Sequence, residues 1–224
     1  MLRMNTFRAA VFAALIGAPQ AVDHPGPTTR RPADGPPPPT AVDRLRTRLL
    51  AFHVSADDRS AWIESLVALG RVTEGHWEAV LLDPTGERVQ GVETILAEER
   101  FRGLPEEERR LWHSHRHAVK CGEMLVPDAS RMDEDAVLRH LARSYGKAWR
   151  TDGPGAPRLL MGSTAEAPVD PERLAERNRR LGLSMDEILR RRAGIPAPPV
   201  AEGADAWTRG VTLQAELREV TVRR

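Results

Sequence analysis

Three histidines alternate along one short segment of the chain, at His113, His115 and His117. If this segment is extended, alternate side chains lie on one face of a strand, about 6–7 Å apart. Imidazole nitrogens at that spacing are suitable ligands for Zn²⁺, Ni²⁺ or Fe²⁺, and a carboxylate commonly completes such a set. Glu93, on a neighbouring predicted strand, or Glu123 supplies that carboxylate if the fold brings it close. The pattern therefore predicts a divalent transition-metal site that consists of His113, His115, His117 and Glu93.

The residues that follow the histidines support a second interpretation. Metal-binding barrels of the cupin type place a glutamate a few residues after a His-x-His pair, whereas this chain has Lys120 in that region. An ammonium group beside a divalent cation is repulsive. His53 and His76 are further candidate ligands, without support from neighbouring residues. The alternative is that Trp112 and His113 are buried structural residues with hydrogen-bonded rings.

Other residues offer less chemistry. Cys121 is the only cysteine, so no disulfide forms within the chain. Its neighbour Lys120 favours a lowered thiol pKa, but a lone cysteine is more often a small packing residue. The sequence has no Gly-x-Ser-x-Gly motif, phosphate-binding loop or dinucleotide fingerprint. Trp112, Tyr145 and Trp149 predict a pocket for a small ligand of unknown identity if the fold gathers them, and an ordinary apolar core otherwise.

The hydrophobic periodicity predicts two helices at the start of the folded region and a hairpin after them. A stripe of apolar residues predicts a helix over 40–52, and a second stripe predicts another over 55–70. His76–Leu82 and Val89–Leu96 have the composition of strands. The turn residues Asp83–Gly86 lie between these strands and predict a hairpin.

The remaining predicted elements are mixed in type. They are a short helix that begins at Pro105, an extended segment over Trp112–Val126, a helix over Met132–Tyr145, a strand over Arg158–Ser163, helices that begin at Asp170 and Ser184, and a late strand near Val211–Leu217. Strands and helices do not alternate regularly, so the predicted fold class is α+β. We expect a single compact domain over 40–195, in which helices flank a small, mostly antiparallel sheet. A tail over 196–224 follows, with at most one strand.

The first 39 residues have the features of a leader and a linker. Residues 1–21 combine two arginines, a short apolar run over Ala9–Ile16 and small residues after it, which predicts a signal peptide. The apolar run is too short to span a bilayer. Residues 22–39 are rich in proline and glycine and predict a disordered, extended linker. We therefore expect export to the periplasm or the extracellular space; the alternative is a cytoplasmic protein whose translation starts at Met4.

The composition limits the partners of the chain. It has 33 lysine and arginine residues against 32 aspartate and glutamate residues, which gives a formal net charge of +1. A dedicated nucleic-acid-binding protein usually has a clear basic excess, so no nucleic-acid partner is expected. Hydrophobic residues make up 41% of the chain and the mean hydropathy is −0.44. These values are typical of a soluble globular protein without a transmembrane segment.

One block of sequence, from Thr94 to Gly122, carries a resemblance to a known family. It contains Leu104–Glu108 (Leu-Pro-Glu-Glu-Glu) and Trp112–His115 (Trp-His-Ser-His), and Tyr145–Trp149 and Leu159–Met161 follow in the family's order. The chain resembles the oil body-associated protein family of plants and its uncharacterised bacterial relatives over about 40–195. The resemblance implies a binding or structural role rather than catalysis, and peripheral contact with a lipid surface. The alternative is a metal-dependent enzyme that uses His113 and His115.

Two segments depart from the pattern of that family. Family members carry a His-His-Tyr-Cys cluster where this chain has Leu66–Leu69, and the segment after Trp149 is shorter here. If the cluster belongs to a functional site, this chain lacks that part of the site. The residues of the shared block that remain candidates for a functional site are Trp112, His113, His115 and Lys120.

Overall fold

The structure is a computed structural model and describes residues 45–127, 131–155, 157–215 and 221. The signal peptide predicted at 1–21 and the linker predicted at 22–39 lie outside these residues, so export stays a prediction. The strands within the described ranges are β1 (Thr47–Ser55), β2 (Asp58–Thr73), β3 (His76–Leu82), β4 (Val89–Ala97), β5 (His113–Ser114), β6 (Ser144–Arg150) and β7 (Arg158–Met161).

The helices are short. They are α1 (Glu98–Arg102), α2 (Glu106–Arg109), α3 (Arg116–Lys120), α4 (Arg131–Leu141), α5 (Pro171–Arg180) and α6 (Met185–Arg192), with a 3₁₀-helix at Ala206–Arg209. In the part of the chain that the structure describes, none of the helices has the length and apolar character needed to cross a membrane. Because the helices are short, the strands determine the architecture of the described residues.

Six of the strands form a closed antiparallel barrel, in the order β1, β2, β3, β4, β6 and β7. β4 pairs with β3 on one side and with β6 on the other, so that Glu93 lies between Ala79 and Ala148. β7 closes the ring because it pairs with β6 and, through Met161 and Val54, with β1. β5 pairs with β6 beyond the residues that β7 occupies, and so it extends the ring at one end.

The predicted fold class is wrong. We expected an α+β fold with a small sheet flanked by helices, whereas the structure is a closed six-stranded barrel with a few short helices. The reason lies in the strands that are buried on both faces, one towards the barrel interior and the other beneath covering segments. Such strands lose the polar–apolar alternation by which a strand is recognised, and a helix fits their sequence equally well.

β1 and β2 occupy the positions of the helices predicted over 40–52 and 55–70, and both helix predictions are therefore wrong. Every residue of β1 from Leu49 to its end is buried. Its outward-facing Leu50 packs with Leu125 and Ile188, which belong to segments far away in the chain. Long-range pairing and covering of this kind override the local helical period.

Predictions for the middle of the chain are partly confirmed. β3 and β4 agree with the hairpin strands predicted at His76–Leu82 and Val89–Leu96, and β4 is one residue longer. The extended segment predicted over Trp112–Val126 is wrong for most of its length. Only His113–Ser114 pairs as a strand, and Arg116–Lys120 forms α3.

Predictions for the last third are better at helix starts than at helix ends. The helix predicted over Met132–Tyr145 ends at Leu141, because the chain then enters β6. Helices begin after Asp170 and Ser184 as predicted, and both side chains accept a capping hydrogen bond from the backbone. Residues 211–215, the described part of the predicted late strand, have no regular secondary structure.

The barrel interior has an apolar part and a polar part. All six barrel strands contribute to the apolar part, through Leu49, Ala51, Val67, Leu69, Ala79, Leu81, Ile95, Ala148 and Leu160. Leu138 and Leu141 of α4 pack against the same cluster. Because side chains alternate along a strand, His53 lies on the interior face of β1 and Glu93 on the interior face of β4. These two residues begin the polar part.

Candidate metal centre

Three histidines and one glutamate meet inside the barrel. His53 comes from β1, Glu93 from β4, His113 from β5, and His115 from the turn into α3. All four side chains are buried, with at most 3% of each residue exposed. We call these four residues the histidine–glutamate group. The barrel topology, rather than closeness in the chain, brings them together.

Glu93 is at the centre of the histidine–glutamate group. Its Oε1 lies 3.1 Å from Nε2 of His115 and 3.2 Å from Nε2 of His113. Its Oε2 lies 3.7 Å from Nε2 of His53. Single ligand atoms of His53, Glu93 and His113 all lie within 4.8 Å of one another. All three imidazoles therefore direct the same ring nitrogen to one carboxylate.

A hydrogen-bond chain fixes the ring of His115. The hydroxyl of Ser144 donates its single hydrogen to the carbonyl oxygen of Leu141, at 3.0 Å. Ser144 must therefore accept from Nδ1 of His115, which lies 2.8 Å from Oγ. With the hydrogen of a neutral ring on Nδ1, Nε2 has a lone pair, and it faces Oε1 of Glu93. A lone pair and a carboxylate oxygen repel each other unless a cation, either a proton or a metal ion, lies between them.

Close packing rather than hydrogen bonding holds His113. Neither of its ring nitrogens has an aligned hydrogen-bond partner. Burial lowers the pKa of His113 to about 4, and the nearby Glu93 carboxylate offsets only part of that effect. The ring is thus neutral near pH 7. Gly146 and Gly162 leave room for it, since a Cβ at Gly162 would lie 2.7 Å from Cδ2 of His113.

Glu93 remains ionised although it is buried. Burial favours the neutral acid, but hydrogen bonds from His113, His115 and His53 outweigh that effect and hold the pKa of Glu93 well below its usual range when the ring nitrogens that face it carry hydrogens. A buried carboxylate is costly without compensating positive charge. The histidine–glutamate group therefore has a negative centre and three nitrogen donors around it, which is the arrangement that suits a divalent cation.

His117 and Lys120, two residues singled out in the sequence, lie outside the histidine–glutamate group. His117 belongs to α3, half-buried, because the chain leaves the extended conformation at His115. The ammonium of Lys120 donates to three carbonyl oxygens at the end of α6, at 2.8, 3.3 and 3.0 Å, which belong to Arg192, Ala193 and Ile195. Lys120 thus caps the C-terminal end of α6 and has its partners there rather than in the histidine–glutamate group.

The aromatic residues proposed to line a ligand pocket are divided between two clusters. Trp112 and Tyr145 pack with Phe101, and the rings of Phe101 and Tyr145 stack at 4.0 Å. Nε1 of Trp112 donates to the carboxylate of Glu108, at 3.3 Å. Trp149 packs against a different buried cluster. The basis for a shared pocket of Trp112, Tyr145 and Trp149 is therefore absent.

His53 was a candidate without local support, and the barrel explains why. Its position depends on the pairing of β1 with β2 and β7, which no short sequence window contains. The available signal was the alternation of Leu49, Ala51 and His53 on one face of a strand. His76 is different, since it pairs with Glu78 at 2.8 Å in a partly exposed position.

A second buried carboxyl group, Glu123, lies near the histidine–glutamate group. Ser163 donates a hydrogen bond to Oε2 of Glu123, whereas Oε1 has no partner. Burial raises the pKa of Glu123 to about 7, against the opposing effects of Ser163, His53 and Arg177. Burial and the charge of Glu123 raise the pKa of the Cys121 thiol to about 12. Cys121 is therefore a thiol rather than a thiolate near neutral pH, and it is a poor nucleophile.

Known sequences resemble the chain over most of its length. Residues 39–196 match the family described as "Protein of unknown function (DUF1264)". Oil body-associated protein 2A of Zea mays is 32% identical over 182 residues, which cover 75% of this chain and 72% of that protein. Oil body-associated protein 1B of Arabidopsis thaliana is 30% identical over 197 residues, which cover 81% and 80%. No solved structure matches the chain.

Proposed function

The chain belongs to the oil body-associated protein family, and we propose that its barrel binds one divalent transition-metal ion through His53, Glu93, His113 and His115. The observation that carries the proposal is the convergence of three Nε2 atoms on one buried carboxylate, at 3.1, 3.2 and 3.7 Å. The matched family is described as one of unknown function.

The spacing of the donor atoms supports a mononuclear site. Zinc lies about 2.0–2.1 Å from nitrogen and oxygen ligands, which puts neighbouring donors about 3.3 Å apart in a tetrahedron. The oxygen–nitrogen distances around Glu93 bracket that value. The tautomer of His115 and the neutral ring of His113 both leave nitrogens available as ligands. A bound cation would also compensate the buried charge of Glu93.

Donor atoms of His53, Glu93 and His113 lie within 4.8 Å of one another, and with His115 as the proposed fourth ligand the site favours a binding or structural role over catalysis. A tetrahedral zinc ion with four protein ligands has no open position, which is the arrangement of structural zinc sites. The alternative, a metal-dependent enzyme, needs an open position for water or substrate. An octahedral ion such as Mn²⁺ or Fe²⁺ would retain such positions with the same four donors. The identity of the bound ion therefore separates the two roles.

Elemental analysis of tag-free protein tests the proposal. We expect about one transition-metal ion per chain, as in a mononuclear site, and zinc if the role is structural. After the metal is removed with a chelator, titration calorimetry with Zn²⁺ should show saturable binding that Glu93→Gln and His113→Ala abolish. His140→Ala is the control, because His140 is an exposed histidine outside the site that packs on Trp77 of β3. Absence of metal from the purified protein, together with no binding of Zn²⁺, Mn²⁺ or Fe²⁺, would refute the site.

A second candidate function is peripheral contact with a lipid surface, and the connection between α5 and α6 favours it. Leu181 and Leu183 lie in this connection and Leu189 lies on α6, and they are 38%, 36% and 43% exposed. The last turns of both helices are rich in arginine; Arg179, Arg180 and Arg190 are exposed, and the first two of these also pair with glutamates. Exposed leucines beside arginines suit an anionic membrane surface. The matched plant relatives are named for association with oil bodies, and for this chain peripheral attachment is part of our proposal.

Vesicle flotation tests the lipid proposal. We expect the protein to float with vesicles that contain anionic phospholipid at low salt, and to float less at high salt because the charge attraction is screened. Leu183→Asp should reduce flotation several-fold. Val72→Asp is the control, because Val72 is an exposed apolar residue at the end of β2. A wild-type protein that stays unbound at low salt would exclude this function.

A further inference from the structure

Two of the buried polar atoms in and near the histidine–glutamate group that lack partners have complementary requirements, because one can donate a hydrogen bond and the other can accept it. Nδ1 of His53 has no hydrogen-bond partner, and neither has Oε1 of Glu123. The two residues are 3% and 1% exposed, so bulk solvent does not satisfy these atoms. Buried polar groups without partners are rare in folded proteins because each one costs free energy. A hydrogen on Nδ1 of His53 would therefore find a suitable acceptor in Oε1 of Glu123.

Glu123 is hydrogen-bonded to the segment that directly follows β7, the strand that pairs with the end of β1 just after His53. β1 and β7 are antiparallel, and their register, continued by one residue, sets His53 opposite Gly162. The next residue, Ser163, donates its hydroxyl to Oε2 of Glu123. His53 also acts electrostatically on the Glu123 carboxyl, which requires the two groups to be near each other. Oε1 is thus the free oxygen of a carboxyl group near His53, and it does not bond to Nδ1 of His53 in this structure, since both atoms lack a partner.

Glu123 is held rigidly in this position. The guanidinium of Arg177, itself fully buried, donates to the carbonyl oxygens of Glu123 and Gly122. Ser163, two residues after the end of β7, anchors one oxygen of the side chain. Backbone and side chain of Glu123 are therefore both fixed by buried partners, which is what a residue that orients another side chain requires.

We propose that Glu123 is a positioning residue of the metal centre, whose Oε1 accepts the Nδ1 hydrogen of His53 when Nε2 of His53 binds the metal. An imidazole that ligates through Nε2 carries its hydrogen on Nδ1, and the acceptor for that hydrogen fixes the tautomer and the ring orientation. His115 already has such an acceptor in Ser144. This inference rests on the proposed metal site and identifies the corresponding partner for His53.

Nitrogen NMR of the zinc-loaded wild-type protein tests the tautomer directly. With ¹⁵N-labelled histidine, we expect His53 to have a protonated Nδ1 and a metal-bound Nε2. The Nδ1 hydrogen should exchange slowly with solvent, because it is buried and hydrogen-bonded. A His53 ring that binds zinc through Nδ1 would overturn the inference without any substitution in the protein.

Substitution of Glu123 tests the same contact through affinity. Glu123→Leu should weaken Zn²⁺ binding by about 10- to 100-fold, the usual effect of removing a partner of a metal-bound histidine. Glu123→Gln keeps an acceptor oxygen and should lose less affinity. It should also keep the slowly exchanging His53 hydrogen. Glu134→Gln is the matched control, because Glu134 is a buried carboxylate that pairs with Arg192 at 2.7 Å.

The outcomes distinguish this inference from the proposed function. If wild-type protein binds no metal, the metal site itself is refuted. If wild-type protein binds zinc but Glu123→Leu binds it equally well, only the role of Glu123 is refuted. If Glu123→Leu does not fold, the NMR result on the wild type and the affinity of Glu123→Gln decide.

Discussion

Gly146 is the residue that leaves space for the metal donors. It lies in β6, opposite His113 of β5 and Ile95 of β4. A Cβ at this position would collide with the Glu93 carboxylate and would lie 2.8 Å from Nε2 of both His113 and His115. The absence of a side chain at Gly146 is therefore a requirement of close approach rather than of backbone conformation.

We expect Gly146→Ala to weaken Zn²⁺ binding by about 100-fold or more. Loss of a contact that only supports a metal ligand costs about 10- to 100-fold in affinity, whereas this substitution displaces the ligands themselves. Titration calorimetry measures the affinity, and far-ultraviolet circular dichroism checks that the barrel is still folded. Gly194→Ala is the control, because a Cβ there meets only the end of the Arg139 side chain at 4.0 Å. Wild-type affinity in Gly146→Ala would contradict the geometry of the site.

At the residue scale, local patterns led to part of the histidine–glutamate group. Glu93 could be proposed because it lies in a strand whose limits are visible in the sequence, and His113 and His115 because they alternate. His117 was proposed on the same alternation, which fails because the backbone of His115 is already helical. The contribution of His53 depends on the closure of the barrel through β7, and the alternation of Leu49, Ala51 and His53 along β1 does not by itself indicate that closure.

At the scale of elements, β5 is too short to be held by strand pairing alone. Its outer edge is bound by Asp205, whose carboxylate accepts from the backbone nitrogen of Ser114 at 2.8 Å and from its hydroxyl at 2.6 Å. The backbone nitrogen of Asp205 donates to the carbonyl oxygen of Trp112, at 3.0 Å. One residue of the C-terminal segment thus takes the place of a neighbouring strand beside the segment that carries His113 and His115.

We expect Asp205→Ala to reduce the free energy of unfolding by about 1–3 kcal/mol, because it leaves the buried nitrogen of Ser114 without an acceptor. Zn²⁺ affinity should fall as well, since β5 loses its outer support. Asp205→Asn should be milder, because asparagine keeps an acceptor and tolerates the positive φ of 55° at this position. Urea unfolding and calorimetry measure the two effects. Unchanged stability and affinity in Asp205→Ala would show that β5 does not need this contact.

The hairpin between β3 and β4 depends on ionised Asp83. Desolvation opposes ionisation, but hydrogen bonds from Thr85, Arg88 and the backbone of Glu87 outweigh it and lower the pKa of Asp83 to about 2. A lowered pKa means that the ionised form stabilises the folded state. This stabilisation is fully present above the ordinary pKa of 3.8 and is lost as the pH falls through about 2.

Asp83→Asn should therefore be less stable than the wild type at pH 7, and the difference should shrink as the pH falls from 4 to 2. Urea unfolding of both proteins at several pH values measures the difference. Asp152→Asn is a control, because Asp152 pairs with Arg150 at the surface outside the hairpin. A difference that stays constant between pH 4 and pH 2 would mean that Asp83 acts without its charge.

The elements that could be predicted are those whose signals are local. The β3–β4 hairpin has its turn residues between two short apolar runs, and the caps Asp170 and Ser184 mark helix starts by their own hydrogen bonds. β1 could not be recognised in this way, because its burial on both faces is produced by distant segments, and the same holds for β2 only in its middle, residues 65–70. The closed barrel was therefore missed together with those two strands.

At the scale of the whole molecule, the proposed metal ion would join segments that are far apart in the chain. His53, Glu93 and the His113–His115 segment belong to separate strands, and β1 and β4 are not neighbours in the barrel. An ion bound to all of them connects opposite parts of the ring across its interior. Global unfolding must break the bonds between the ion and these strands, whereas local fraying of one helix leaves them intact.

We therefore expect the metal to stabilise the entire barrel. Free Zn²⁺ at 100 times its dissociation constant should raise the free energy of unfolding by about 2.7 kcal/mol, which corresponds to a rise in Tm of about 5–11 °C for a chain of this size. Calorimetric melting of chelator-treated protein with and without Zn²⁺ measures the rise. His113→Ala should lose it, whereas His140→Ala, on α4, should keep it. A single transition that shifts as a whole would show that the ion acts on the ring, and an unchanged Tm would contradict the connection.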